Sequence, residues 1–152
     1  MQNRNIVLVY PKAHEEKEGE TINKIPLSLL YLSGAARDVC DEIIIFDFNI
    51  QGNGMESFEA LLSEKTPAVV GINCLFSMVF SEVLRLSEFI KSKFPEISVV
   101  TGGIHPTIFA GQIMENCKTI DAVILGEGDY AFPRLLNYYF TPPPPRTGAV
   151  TL

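Results

Sequence analysis

Two rhythms of hydrophobic positions alternate along the chain. Short apolar runs, rich in Val and Ile, occupy residues 5–10, 42–48, 68–73, 97–101 and 121–125. Runs of this length and composition read as strands buried on both faces, as in a parallel sheet. Between and after them lie stretches whose apolar residues recur every three or four positions. These are residues 27–37, 55–65, 78–93, 108–116 and 130–139, and they predict helices. The third is the clearest, with Val79, Phe80, Val83, Leu86, Phe89 and Ile90 on one broad stripe. Pro26 suits the first turn of the first helix, and Pro67 and Pro95 close the second and third.

Five strands alternating with five helices predict an α/β fold. The expected form is a three-layer sandwich: a five-stranded parallel sheet with helices on both faces, flavodoxin-like (Rossmann-like), with strand order 2-1-3-4-5. In such sheets ligands bind at the carboxyl ends of the strands. Residues 1–140 read as one domain. Residues 141–152, with Pro142 to Pro145, read as an extended tail or linker remnant. The stretch 11–25 is a long charged loop, and long ordered loops often carry function.

Composition narrows the function. The 152 residues suffice for one domain with a sizeable core, and 47% are hydrophobic. A net charge of −6, with no Lys/Arg cluster, argues against nucleic acid or an anionic membrane as partner. No apolar run reaches the length of a membrane span. Cys40, Cys74 and Cys117 are too dispersed for a CxxC pair or a cluster-binding set. Three thiols without a secretory leader fit a reducing cytoplasm.

The candidate chemistry gathers at two glycine-marked strand ends. Val99-Val100-Thr101 ends on Gly102-Gly103, followed by Ile104-His105-Pro106-Thr107. Val123-Ile124-Leu125 ends on Gly126-Glu127-Gly128-Asp129. Strand tips without Cβ atoms let a flat ligand lie against main chain, and two such tips suggest one shared crevice. His105 can serve a ligand or shape the turn before Pro106. His14, among Glu15, Glu16 and Glu18, can be a metal ligand or part of a solvated loop. Glu127 can hydrogen-bond a ligand or cap the last helix, with Asp129 the better cap. Cys74 has no base beside it and reads as buried packing. Asp47 occupies the place of a ribose-binding acid, but the first strand lacks the Gly-x-Gly-x-x-Gly that such a site requires.

Three segments together resemble one family: Pro26-Leu27-Ser28-Leu29-Leu30-Tyr31-Leu32, Gly102-Gly103-Ile104-His105-Pro106-Thr107, and Asp121 through Asp129. The family is the N-terminal cobalamin-binding domain of cobalamin-dependent radical SAM enzymes, and the likeness spans nearly the whole chain. Asn73-Cys74-Leu75 stands where cobalamin domains of the methionine synthase type carry S-x-L, at a matching distance before the glycine pair. The D-x-H-x-x-G of those domains is absent; Asp47 through Gly52 matches its spacing with Asn49 for His, but after the second strand.

The resemblance implies a cobalamin-binding module, base-off and His-off, with no metal ligand from the chain. It implies a site built by Asn73, Leu75, Gly102, Gly103, Ile104, His105, Gly126 and Glu127, with Leu27 and Leu29 near the corrin. A [4Fe–4S] cluster and S-adenosylmethionine would belong to a radical SAM domain, in cis or trans, that these cysteines cannot supply. The parent would be a methyltransferase or related transferase or cyclase, and activity of this chain alone is not expected. The competing reading is a cofactor-free scaffold or regulatory domain acting through a protein partner. A phospho-acceptor domain is disfavoured by Asn73 at the third strand tip, and a flavodoxin-type site by the lack of a phosphate loop after the first strand.

Overall fold

The computed structural model describes residues 3–12, 25–50, 52–141 and 148–150. Strands β1 (Asn5–Tyr10), β2 (Glu42–Asp47), β3 (Val69–Asn73), β4 (Ser98–Gly102) and β5 (Ala122–Ile124) form a parallel sheet. Their order is β2-β1-β3-β4-β5, the flavodoxin-like order expected above. A further strand, β6 (Gly148–Val150), pairs parallel to β5 at the outer edge. It lies in the stretch read as a tail, and three residues are too few for a hydrophobic period to register. His14 and the prolines 142–145 fall outside the described residues.

Helices α1 (Leu27–Ala36), α2 (Met55–Lys65), α3 (Phe80–Lys93), α4 (Ile104–Asn116) and α5 (Gly128–Tyr139) complete the unit. Single 3-10 turns at Arg37–Val39 and Ser77–Val79 extend α1 and introduce α3. The main departure from the sequence pattern is α4, which starts at Ile104 rather than 108. Gly103, at φ +122°, turns the chain straight out of β4. Pro106 then sits in the first turn, where a missing N–H costs nothing, so it does not delay the helix.

Strand alternation divides the core in two. Ile6 and Leu8 face α1 and α5, packing with Val100, Ile124, Phe132 and Leu136. Val7 and Val9 face the other way, with Phe58 of α2, Leu86 and Ile90 of α3 and Ile113 of α4. Each such side chain contributes roughly 1.5–3 kcal/mol on burial. Phe46, Phe48 and Phe58 meet with centroids 4.9–5.2 Å apart, sealing the second layer near the β2 edge.

Asp121, just before β5, ties three elements together. Its Oδ2 accepts the Val99 N–H at 2.7 Å and lies 2.6 Å from Lys91 Nζ, which also donates to the Ile97 carbonyl. Charge-assisted bonds at a largely shielded carboxylate are the stronger kind. Asp121→Ala is therefore expected to cost about 2 kcal/mol and to lower Tm by about 4–8 °C for a domain of this size. Thermal unfolding followed by circular dichroism checks this; an unchanged Tm would show that the carboxylate holds nothing.

Candidate functional site

On the α1/α5 face, side chains thin out towards the carboxyl ends of the strands. In the sheet register Leu8 lies beside Gly71 and Gly71 beside Val100, and two residues further on Asn73 lies beside Gly102. Gly71 and Gly102 thus leave neighbouring strands bare on one face. A Cβ on Gly71 would come within 3.0 Å of Leu8 Cδ2 and 3.7 Å of the Phe132 ring, and one on Gly102 within 3.2 Å of Ile124 Cβ. Helices α1 and α5 pack against each other over this track, closely enough that a Cβ on Gly128 would stand 2.8 Å from Leu32 Cδ1.

The result is an open cleft of about 450 Å³, within the range of small-ligand sites. Ser28, Leu29, Tyr31 and Leu32 of α1 form one wall, and residues 126–129 with Phe132 form the other. Main chain at Gly103 closes the β4 end. There a Cβ would stand 2.3 Å from the Cys74 carbonyl oxygen, so the β4 and β3 tips touch backbone to backbone. The Cys74 N–H donates to the Gly102 carbonyl at 2.8 Å and fixes that approach.

Leu29, Asn73, Leu75, Gly102, Gly103, Gly126 and Glu127, singled out from the sequence, come together on this cleft. Leu27, Ile104 and His105 do not line it. Leu27 precedes the wall residue Ser28 and points to solvent, 59% exposed; Ile104 follows Gly103 and is 58% exposed. His105 is carried away because α4 has already begun. Its ring lies between Phe80 and Phe109, with centroids 4.5 and 4.7 Å distant. Its Nδ1 is 2.8 Å from Ser77 Oγ. Partial burial pushes the imidazole below its usual pKa.

Sequence reasoning missed Ser28, Tyr31, Leu32, Gly71, Thr101, Gly128 and Phe132, which also line the cleft. Gly71 carried a readable signal, a glycine inside an otherwise β-branched strand, and Gly128 stood within the second glycine-marked tip.

The polar equipment of the cleft is small. Asn73 Nδ2 donates to Ser28 Oγ at 3.4 Å. The Thr101 hydroxyl is spent on the Ile72 carbonyl at 2.9 Å. Glu127 is the N-cap residue of α5 but makes no side-chain capping bond. Asp129, expected as the cap, lies instead in the first turn, where its charge suits the helix dipole. Among the described residues no Lys, Arg or His lines the cleft. The site therefore suits an uncharged ring with hydrogen-bonding edges better than a bare anion. Cys74 is buried, and burial pushes its thiol up to about 11, which leaves no nucleophile at neutral pH.

The turn after β2 is organised around Asp47 and tied to the end of β1, where Asn49 Nδ2 donates to the Pro11 carbonyl at 3.2 Å. Asp47 Oδ1 accepts the Asn49 N–H and Nδ2, each at 2.8 Å, and Asn53 Nδ2 bonds the Asp47 carbonyl at 2.7 Å. Asp47 thus serves its own loop. Among the described residues no group of three or more His, Cys, Asp or Glu is placed to hold a metal ion, and no helix is long and apolar enough to cross a membrane.

Comparison with known proteins gives a consistent picture. A family model described as the B12 binding domain matches residues 24–136. An uncharacterized methyltransferase of Pyrococcus horikoshii, PH0819, is 29% identical over 112 residues, which is 74% of this chain and 24% of that protein. The anaerobic magnesium-protoporphyrin IX monomethyl ester cyclase of Rubrivivax gelatinosus is 23% identical over 133 residues, 87% of this chain and 24% of the cyclase. Among solved structures, the cobalamin-dependent S-adenosylmethionine radical enzyme OxsB, with aqua-cobalamin and S-adenosylmethionine bound, shares the fold. The TM-score is 0.69 at 19% identity, covering 90% of this chain and 18% of that one. The chain thus spans about a quarter or less of the length of these relatives.

Proposed function

Because the chain belongs to the B12-binding domain family, we propose that it holds cobalamin at the carboxyl edge of its sheet, with the nucleotide tail in the cleft between α1 and α5. The observation that carries this is the bare track itself. Gly71 and Gly102 form part of the floor, and Gly126, at φ +67° with nothing within 4 Å of where its Cβ would be, opens the rim. A cleft of about 450 Å³ admits a heterocycle with its ribose and leaves the far larger corrin outside. Asn73, Ser28 and the carboxylates of Glu127 and Asp129 supply hydrogen-bonding partners for the tail. The exposed apolar side chains beside the wall, Leu27 and Ile104, together with Phe76 and Met78 after β3, offer surface for the corrin.

Bound cobalamin supplies a cobalt centre able to carry a methyl group. The chain's own residues bind the tail, orient the ring and exclude water from the cleft. In a full-length protein the module would serve a radical SAM domain, in cis or in trans, of methyltransferase or cyclase type. Binding is proposed to be base-off and His-off: the tail cannot occupy the cleft and ligate cobalt at once, and His105 lies outside the cleft with its ring held between Phe80 and Phe109.

Reconstitution with hydroxocobalamin followed by desalting tests the reading. The expected result is a retained chromophore at one equivalent per chain, with a base-off visible spectrum. The same band positions are expected in His105→Ala. Loss of the chromophore on desalting would refute cobalamin binding; displaced bands in His105→Ala would make that histidine a cobalt ligand.

A further inference from the structure

We propose that Thr107 is a positioning residue that sets the gap between the two glycine tips of the cleft, acting from outside it. The proposal rests on the cobalamin reading of that cleft. Thr107 is exposed and does not itself line the cleft, yet its hydroxyl joins two residues that do. Oγ1 donates to the Gly103 carbonyl at 2.7 Å and accepts the Gly126 N–H at 3.0 Å.

The first bond alone is ordinary, since helical threonines often bond the carbonyl four residues back. The second is not local: it crosses from the β4–α4 junction to the β5–α5 loop. β5 has ended at Ile124, so the Gly126 N–H lies beyond the sheet ladder. A hydroxyl already donating is a better acceptor, so the two bonds strengthen each other.

The anchor for this strap is itself held. The Thr107 N–H also bonds the Gly103 carbonyl, at 3.1 Å. Two residues earlier on the same turn, His105 is tied to Ser77 in the 3-10 turn before α3 and is clasped by Phe80 and Phe109. Phe109 departs from helical geometry, at φ −109° and ψ 20°, so the opening turn of α4 is set off from the rest of the helix. That turn therefore grips the β3 side through His105 and the β5 side through Thr107. The gap between Gly103 and Gly126 is fixed by side chains that do not themselves line the cleft.

Thr107→Val keeps the shape and removes the hydroxyl, whereas Thr107→Ser keeps the hydroxyl. In the full 152-residue chain, titration with hydroxocobalamin followed in the visible is expected to show Kd raised roughly three- to tenfold in Thr107→Val. Thr107→Ser is expected to stay within about twofold of wild type. Independently of cobalamin, the Gly126 amide should exchange with solvent faster in Thr107→Val and retain wild-type protection in Thr107→Ser. An unchanged Gly126 amide in Thr107→Val overturns the strap. Equal affinity in Thr107→Val and wild type, or an equal loss in both variants, overturns its role in binding. If the wild-type chain retains no hydroxocobalamin, the cobalamin reading falls while the Gly126 amide still decides whether the strap exists.

Discussion

Ser28→Trp is expected to abolish retention of hydroxocobalamin while leaving the fold intact. Ser28 sits in the first turn of α1, exposed to solvent, and lines the cleft opposite Asn73. An indole at that position projects into the space proposed for the nucleotide tail. The helix tolerates it, because Trp and Ser have similar helix propensities and the position carries no core packing. Affinity is expected to fall by roughly 100-fold or more, about 2.7 kcal/mol of binding free energy. Tm should fall by no more than about 4 °C, the cost of the weak Asn73–Ser28 bond. Equilibrium dialysis beside a thermal melt separates the two. Wild-type affinity in a folded Ser28→Trp chain would mean that the tail lies elsewhere.

The second large effect is expected at Gly103. Its φ of +122° with ψ −170° is a conformation that essentially only glycine adopts. The obstacle is backbone rather than a side chain that can swing away: an added Cβ would stand 2.3 Å from the Cys74 carbonyl oxygen and 2.7 Å from its carbon. Gly103→Ala must therefore part the β3 and β4 tips and stretch the Cys74 N–H bond to Gly102. We expect a loss of about 3 kcal/mol or more, a Tm lower by about 6–12 °C, and no cobalamin retained after desalting. Gly126→Ala is the control, since it has positive φ but open space around it. It should cost only the left-handed backbone term, about 1–2 kcal/mol. Equal stability losses in the two variants would show that the Cys74 contact is not what Gly103 protects.

These two residues differ in how visible they were beforehand. Gly103 was legible because paired glycines at the end of a β-branched run have few uses other than a close main-chain approach. Ser28 was not, because an exposed serine in a helical stretch looks like any solvated position. Its role arises from where α1 crosses the sheet. His105 shows the converse. Its place after Gly-Gly pointed to the site, but the pattern around Pro106 delayed the expected start of α4. With the helix starting at Ile104, two residues of turn carry the imidazole out to Ser77 and the rings of Phe80 and Phe109. Gly71 lay in plain view within Val-Val-Gly-Ile-Asn. Its meaning came only from the register, which sets it between Leu8 and Val100 and in the same face as Gly102.

The sequence by itself determined the layer architecture and the two glycine-marked tips. Those properties follow from hydrophobic period and from backbone conformations that few residue types permit, and both are local. The tertiary structure alone decided that the bare positions fall on one face under α1 and α5. It alone turned His105 away from the cleft, and placed the Thr107 hydroxyl between Gly103 and Gly126. Such facts depend on register and crossing geometry between segments far apart in the chain, which no local pattern encodes.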